Sequence, residues 1–201
     1  MTTILQYLPK NKFFENWLKD VGHNAEIIMQ KAKEGTQVHK AIEILVEGGE
    51  ISWMDDYGNA RYSQIVWEMI LKFHDFWTTH KPKLISTEQF VFSDEDKYAG
   101  TADLVVEMGG ETWLLDIKTS NALHKSYDLQ LAAYAKGFKE CKDIDIQRTG
   151  VLWLKANTRS ASKKEGIYQG SGWQIKVVDE IDYNYDLFKT VYKHSPQSLS
   201  W

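Results

Sequence analysis

The stretch YAGTADLVVEMGGETWLLDIKT, residues 98–119, decides how the chain is read. Two runs rich in aliphatic, aromatic and β-branched residues, Tyr98–Met108 and Glu111–Thr119, flank Gly109-Gly110. Adjacent glycines supply the positive φ angles of a two-residue hairpin loop, so the spacing predicts an antiparallel ribbon. Strict register from that turn sets Met108 opposite Glu111 and continues outward to Asp103 opposite Asp116. Because side chains alternate along a strand, Ala102, Leu104 and Val106 then share a face with Trp113, Leu115 and Ile117, a surface suited to burial. Asp103, Asp116 and Lys118 fall on the opposite face.

Directly paired residues hold their Cβ atoms about 4.5–5.5 Å apart, and like charges there cost about 0.2–1 kcal/mol even when solvated. Lys118 supplies one neutralising charge, but a hard divalent cation with oxygen ligands, Mg²⁺ or Mn²⁺, satisfies both carboxylates more fully. On spacing alone, a solvated cluster of two aspartates and a lysine accounts for the pattern equally well.

Outward from the ribbon, the periodicity is helical on both sides. Ala25 to Val46 carries Val38, Ala41, Ile42, Leu45 and Val46 as one stripe, with Gly35-Thr36 as a point where the helix can break and Gly48-Gly49 as its stop. Ile65 to His80 repeats the pattern before Pro82. Leu84–Phe92 reads as a strand, Ser126–Glu140 as a helix, Val151–Leu154 and Trp173–Val178 as strands, and Ile181–Tyr192 as a closing helix. The order predicts an α/β protein with a mixed central sheet flanked by helices.

The 201 residues suit one domain, with a helical N-terminal part to about residue 82 and a sheet with its helices beyond. Hydrophobic residues make up 43% and charged residues 26%, which excludes disordered and collagenous classes. A net charge of −4 argues against coating nucleic acid by bulk charge, so any such contact needs local patches or metal ions. No basic leader precedes an apolar run at the N-terminus and no uncharged stretch approaches the ~20 residues of a membrane span, so a soluble, intracellular, cytoplasmic protein with no membrane partner is expected. The single cysteine, Cys141, excludes an internal disulfide and a cysteine-held iron–sulfur cluster.

Gly100-Thr101-Ala102-Asp103, Leu115-Asp116-Ile117-Lys118-Thr119-Ser120 and Gln130-Leu131-Ala132-Ala133-Tyr134, in this order, resemble the motifs of the PD-(D/E)XK nuclease superfamily. They are most similar to its RecB-like exonuclease branch, which includes phage exonucleases and the mitochondrial genome maintenance exonuclease. Gly35-Thr36-Gln37-Val38-His39, with Glu43 one turn on, looks like that branch's helical histidine motif. The likeness runs from about residue 35 to about residue 140. It implies a restriction-endonuclease-like core in α-βββ-α-β order with extra N-terminal helices, and metal-dependent hydrolysis of DNA phosphodiesters in replication, recombination or repair, in a bacterial or phage-infected cell. Relatives that carry an iron–sulfur cluster use four cysteines, which this sequence lacks; the helicase domains of the large RecB-type enzymes are also missing, so any motor is a separate partner, a helicase or recombination protein.

By the same resemblance Asp103 and Asp116 are metal ligands, the carbonyl of Ile117 completes the coordination, and His39 adds an imidazole. Lys118 either deprotonates the attacking water or stabilises the developing charge, and the sequence does not choose. Gln130 and Tyr134, one helical turn apart, help place the DNA backbone and the lysine, with Tyr127 a weaker candidate on the same side; a core role is the alternative for Tyr134, but a Gln at the centre of an otherwise apolar stripe wants a polar partner. Glu43 and Glu88 are further acidic candidates, for metal or for orienting the imidazole, against the simpler role of solvated charges. Lys155, Arg159, Lys163 and Lys164 form a basic stretch without acids that suits phosphate contacts or an ordinary soluble connection, and Lys31, Lys33 and Lys40 flank the histidine motif. Trp53 and Tyr57 are the aromatics best placed for stacking on single-stranded bases or DNA ends. Two alternatives keep the fold: a catalytically inactive nucleic-acid-binding or assembly subunit, and a site-specific endonuclease.

Overall fold

The computed structural model describes residues 25–155 and 172–193. Its elements are α1 (Ala25–Val46), α2 (Gln64–His80), β1 (Lys83–Ser93), β2 (Tyr98–Met108), β3 (Glu111–Lys118), α3 (Ser126–Lys142), β4 (Arg148–Trp153), β5 (Gln174–Val178) and α4 (Ile181–Lys193). The five strands lie in sequence order in one sheet. All neighbours are antiparallel except β3 and β4, which run parallel because α3 carries the chain back between them. This is the α/β architecture expected from the periodicity, a mixed sheet flanked by helices.

Gly109 and Gly110 sit at φ of 64° and 82°, the loop conformation that the hairpin requires. The register is the expected one from Met108↔Glu111 as far as Leu104↔Leu115. There the ladder stops, one pair short of Asp103 and Asp116. Asp103 instead turns its carboxylate across the gap and accepts the amide of Ile117 at 2.7 Å, so a side chain replaces the next backbone bond. On the other flank, Glu88 of β1 stands at φ 45°, and the β1–β2 pairing skips the Glu88–Asp103 position between Thr87↔Leu104 and Gln89↔Ala102. The strands therefore splay, and the alternation of faces changes at this point.

That change corrects the expected face assignment. Leu104, Val106, Trp113, Leu115 and Ile117 pack with Val38, Ala41, Ile42, Phe73 and Phe76 of α1 and α2. Ala102, expected beside Leu104, packs on the other side with Val91, Leu131, Tyr134 and Phe138. A third group, Tyr98, Leu129, Ala133 and Phe188, joins α3 and α4.

Helix α1 runs unbroken through Gly35-Thr36. The Thr36 hydroxyl bonds back to the Ala32 carbonyl at 3.1 Å, which satisfies its polar group without ending the helix. Helix α2 begins at an N-cap where Ser63 accepts the amide of Val66. Among the described residues no helix is long and apolar enough to cross a membrane.

Candidate metal centre

Three elements meet at the splayed end of the ribbon. His39 comes from the middle of α1, Glu88 from the distorted position of β1, and Asp103 from the point where β2 leaves β3. His39 Nδ1 lies 3.6 Å from Glu88 Oε1 and 3.7 Å from Asp103 Oδ1. One ligand atom from each of the three lies within 4.8 Å of the others. The left-handed backbone at Glu88 is uncommon for a residue with a Cβ, and it belongs to the residue that joins this ring.

Asp116 and Lys118 lie beside the ring on β3. Asp116 is 2% exposed; its Oδ1 accepts Lys118 Nζ at 2.7 Å, while its Oδ2 is buried without a hydrogen-bond partner. Burial pushes Asp116 up to about 6, with Lys118 opposing and the Asp103 charge adding to the rise. Burial also raises Asp103, against the pull of His39, Lys118 and the Ile117 amide. Burial disfavours the Lys118 ammonium, but the Asp116 and Asp103 carboxylates outweigh it and hold the lysine above its ordinary value. His39 shows the same balance: burial lowers it, and Glu88 and Asp103 raise it past its ordinary value.

The residues present fit a dication. Asp103 and the almost fully buried Asp116, with Glu88 at the exposed rim, set three carboxylates against the Lys118 ammonium and the His39 imidazole, and the two aspartates stand where solvation is poor. Asp116 Oδ2 is an acceptor with no donor, the feature that ordinary packing leaves rarely and a hard cation removes.

Helix α3 closes the other side. Gln130 donates to the Tyr134 hydroxyl at 3.0 Å, so the polar residue on the apolar stripe has its partner. Burial raises Tyr134, which stays a neutral phenol. Gly100 opens the place for this ring: a Cβ there would lie 2.7 Å from Tyr134 Cε1 and 2.8 Å from its hydroxyl. Lys118 Nζ sits 4.8 Å from the centre of the Tyr127 ring, and the Tyr127 hydroxyl lies 3.4 Å from Ser120 Oγ.

The structure thus gathers His39, Asp103, Asp116, Ile117, Lys118, Gln130 and Tyr134 at one place and gives Glu88 a larger part than its sequence context suggested. Glu43 is not among the three residues of the ring. Thr87, which sequence reasoning passed over, donates its hydroxyl to the Asp103 carbonyl at 3.1 Å and braces the kink; an isolated Thr in a strand carries no pattern that would single it out. Lys155 is buried rather than held out in an open loop: its carbonyl accepts Lys72 Nζ and its ammonium lies 5.9 Å from the Trp153 ring. Arg159, Lys163 and Lys164 lie outside the described residues. Lys31 is paired with Glu34 at 2.7 Å. Trp53 and Tyr57 stand in the connection between α1 and α2. The Asp55 carboxylate ties the turn there by accepting the amides of Tyr57 and Asn59 at 2.9 and 2.8 Å, and Tyr57 at its tip is 91% exposed.

No protein-family model matches the chain, and no curated protein does. Among solved structures it is similar to that of a "Putative exonuclease" from Eubacterium rectale, with a TM-score of 0.51 and 12% sequence identity. The match covers 83% of this chain and 66% of that one, so the chain spans less than two thirds of its neighbour's length. The likeness is one of fold, and the mixed sheet flanked by helices fits a restriction-endonuclease-like core.

Proposed function

We propose that this chain is a metal-dependent deoxyribonuclease of the RecB-like exonuclease kind, hydrolysing phosphodiester bonds at single strands or DNA ends. The observation that carries the reading is the buried, unpartnered Asp116 Oδ2 beside His39, Glu88 and Asp103. The name of the structural neighbour supports a nuclease at a coarse level. His39, Glu88, Asp103 and Asp116 would hold Mg²⁺ or Mn²⁺, with the Ile117 carbonyl as a further oxygen donor. Such an ion, when bound, lowers the pKa of water and offsets charge on the phosphoryl oxygens.

The chain's own groups do the rest. Lys118 Nζ, 2.7 Å from Asp116 Oδ1, would stand beside the reacting phosphate, either as a fixed positive charge or as the group that takes the proton of the attacking water. Its position is set by the bond to Asp116 and by the Tyr127 ring. Tyr134 is neutral and accepts from Gln130, which leaves its own hydrogen for a phosphate oxygen. A helicase or recombination protein is the partner that would present a strand. The deciding experiment incubates the protein with end-labelled single- and double-stranded oligonucleotides and with closed circular DNA, in Mg²⁺, Mn²⁺ or chelator. Metal-dependent shortening of linear substrates is expected, and Asp116→Asn and Lys118→Gln should each abolish it. Wild-type rates in either folded variant reject the assignment.

A further inference from the structure

Beyond Glu88, strand β1 presents a feature that the metal centre does not use. Phe90 and Phe92 are 55% and 36% exposed, with ring centres 6.2 Å apart and planes inclined by 33°. They share one face of the strand; the residues between and after them, Val91 and Ser93, are buried, and Val91 is anchored among Leu131, Tyr134 and Phe138. The residues paired with them on β2, Thr101 and Ala99, are small and exposed, so among the described residues these two strand partners raise no bulky side chain beside the rings. The result is an open aromatic shelf on a strand fixed from behind.

We infer that Phe90 and Phe92 form a stacking site for unpaired bases of a nucleic-acid strand leading into the metal centre. This rests on the reading of that centre as a nuclease site and adds the form of its substrate. Phe90 is two residues from Glu88, about 7 Å along an extended strand, so a chain whose phosphate reaches the ring has its neighbouring bases over the shelf. Phe rings offer a π-face without hydrogen-bond preference, which suits bases of any sequence. Two features of the same edge disfavour an added protein strand. The Gln89 side chain caps the Phe90 carbonyl at 3.0 Å, and the left-handed turn at Glu88 breaks the straight row of backbone groups that an incoming strand would need. The acidic turn Asp94-Glu95-Asp96 lies beyond the shelf and would repel a phosphate backbone laid over it, so a bound strand is expected to end at or turn away from Phe92.

The test measures binding of fluorescent oligodeoxythymidylate and of a blunt duplex in chelator, where the proposed cleavage is off. Phe90→Leu and Phe92→Leu keep apolar surface but remove the ring. Each should weaken single-strand binding by about five- to a hundredfold, and blunt-duplex binding by less than threefold, as loss of one stacked base implies. Phe92→Tyr should bind like the wild type. Wild-type single-strand affinity in the folded double leucine variant overturns the stacking site, as does an equal loss for duplex. Should the double variant alter self-association or capture of a protein while single-strand affinity is unchanged, the shelf is a protein interface and the inference likewise fails. Cleavage is scored separately: an Asp103→Asn protein that binds single strands as tightly as wild type but still cuts them refutes the nuclease site and leaves the shelf standing.

Discussion

Gly100→Ala is the sharpest probe of how the site is assembled. The glycine has ordinary negative-φ or extended backbone, so alanine is not strained by the main chain; by restricting the unfolded chain it would by itself stabilise by about 0.4–1 kcal/mol. The new methyl, however, would stand 2.7 Å from Tyr134 Cε1, where ordinary contact begins at 3.4 Å, so a ring that is 4% exposed must retreat by roughly 0.7 Å. Overpacking of that kind costs about 1–3 kcal/mol, and the net loss is expected near about 1–2 kcal/mol. Urea unfolding with an unchanged m-value measures it. Tyr134→Phe keeps Cε1 and Cζ and should not relieve the clash, whereas Tyr134→Leu removes the offending atoms. The double variant Gly100→Ala/Tyr134→Leu should therefore be more stable than the sum of the single effects by about 1–2 kcal/mol. Cleavage should fall in Gly100→Ala by about a hundredfold, since sub-ångström displacement of a positioning group is amplified in the rate. Additive stabilities, within about 0.5 kcal/mol, would refute the claim that these two residues share one space.

In chelator, stability should decline as pH rises from about 4 to above about 6, because folded Asp116 holds its proton more tightly than the unfolded chain does. The rise from 3.8 to about 6 sets an upper bound of about 3 kcal/mol, and Asp116→Asn should flatten that part of the curve in denaturant titrations. His39, also raised, adds a decline of the same sign as pH passes through its folded value, so His39→Ala should flatten the upper end. Mn²⁺ or Mg²⁺ at a hundred times the dissociation constant should raise the unfolding free energy by about 3 kcal/mol, more at high than at low pH, and Glu88→Gln or Asp103→Asn should shrink the gain; equal gains in all variants by calorimetry would remove the ring from metal binding. Tyr57→Ala should change stability by less than about 0.5 kcal/mol, since the ring is 91% exposed, and any loss of single-strand affinity then reports a direct contact.

Most of the architecture was legible because local signals agreed with one another. Gly109-Gly110 selects the hairpin, the hairpin sets the register, and alternation then assigns Leu104, Val106, Trp113 and Leu115 to one core. The place where that chain of inference fails is the cluster of His39, Glu88 and Asp103. Alternation presumes an unbroken ladder, and nothing in the residue types of β1 and β2 announces that Glu88 will adopt a left-handed conformation or that the Asp103 carboxylate will take the Ile117 amide.

That failure has a physical reason connected with function. In a regular ribbon Asp103 and Asp116 would meet as a like-charge pair with both amides committed to the ladder, and a third acid on β1 would be held at ladder spacing. By giving up one rung, β2 leaves β3 where His39 from α1 lies 3.6 Å from the Glu88 carboxylate of β1 and 3.7 Å from that of Asp103, while the Ile117 amide retains an acceptor. The lost regularity is local because Val91 and Ala102 on one side and Leu104 and Leu115 on the other remain packed in separate cores. Bracing by Thr87 on the Asp103 carbonyl keeps the kink in one conformation. A Thr87→Val substitution, nearly isosteric but without the hydroxyl, removes that brace while leaving every donor of the ring in place; it should weaken Mn²⁺ binding several-fold with little change in the unfolding midpoint in chelator. Unchanged metal affinity in that variant would mean that the kink is held by the cores alone.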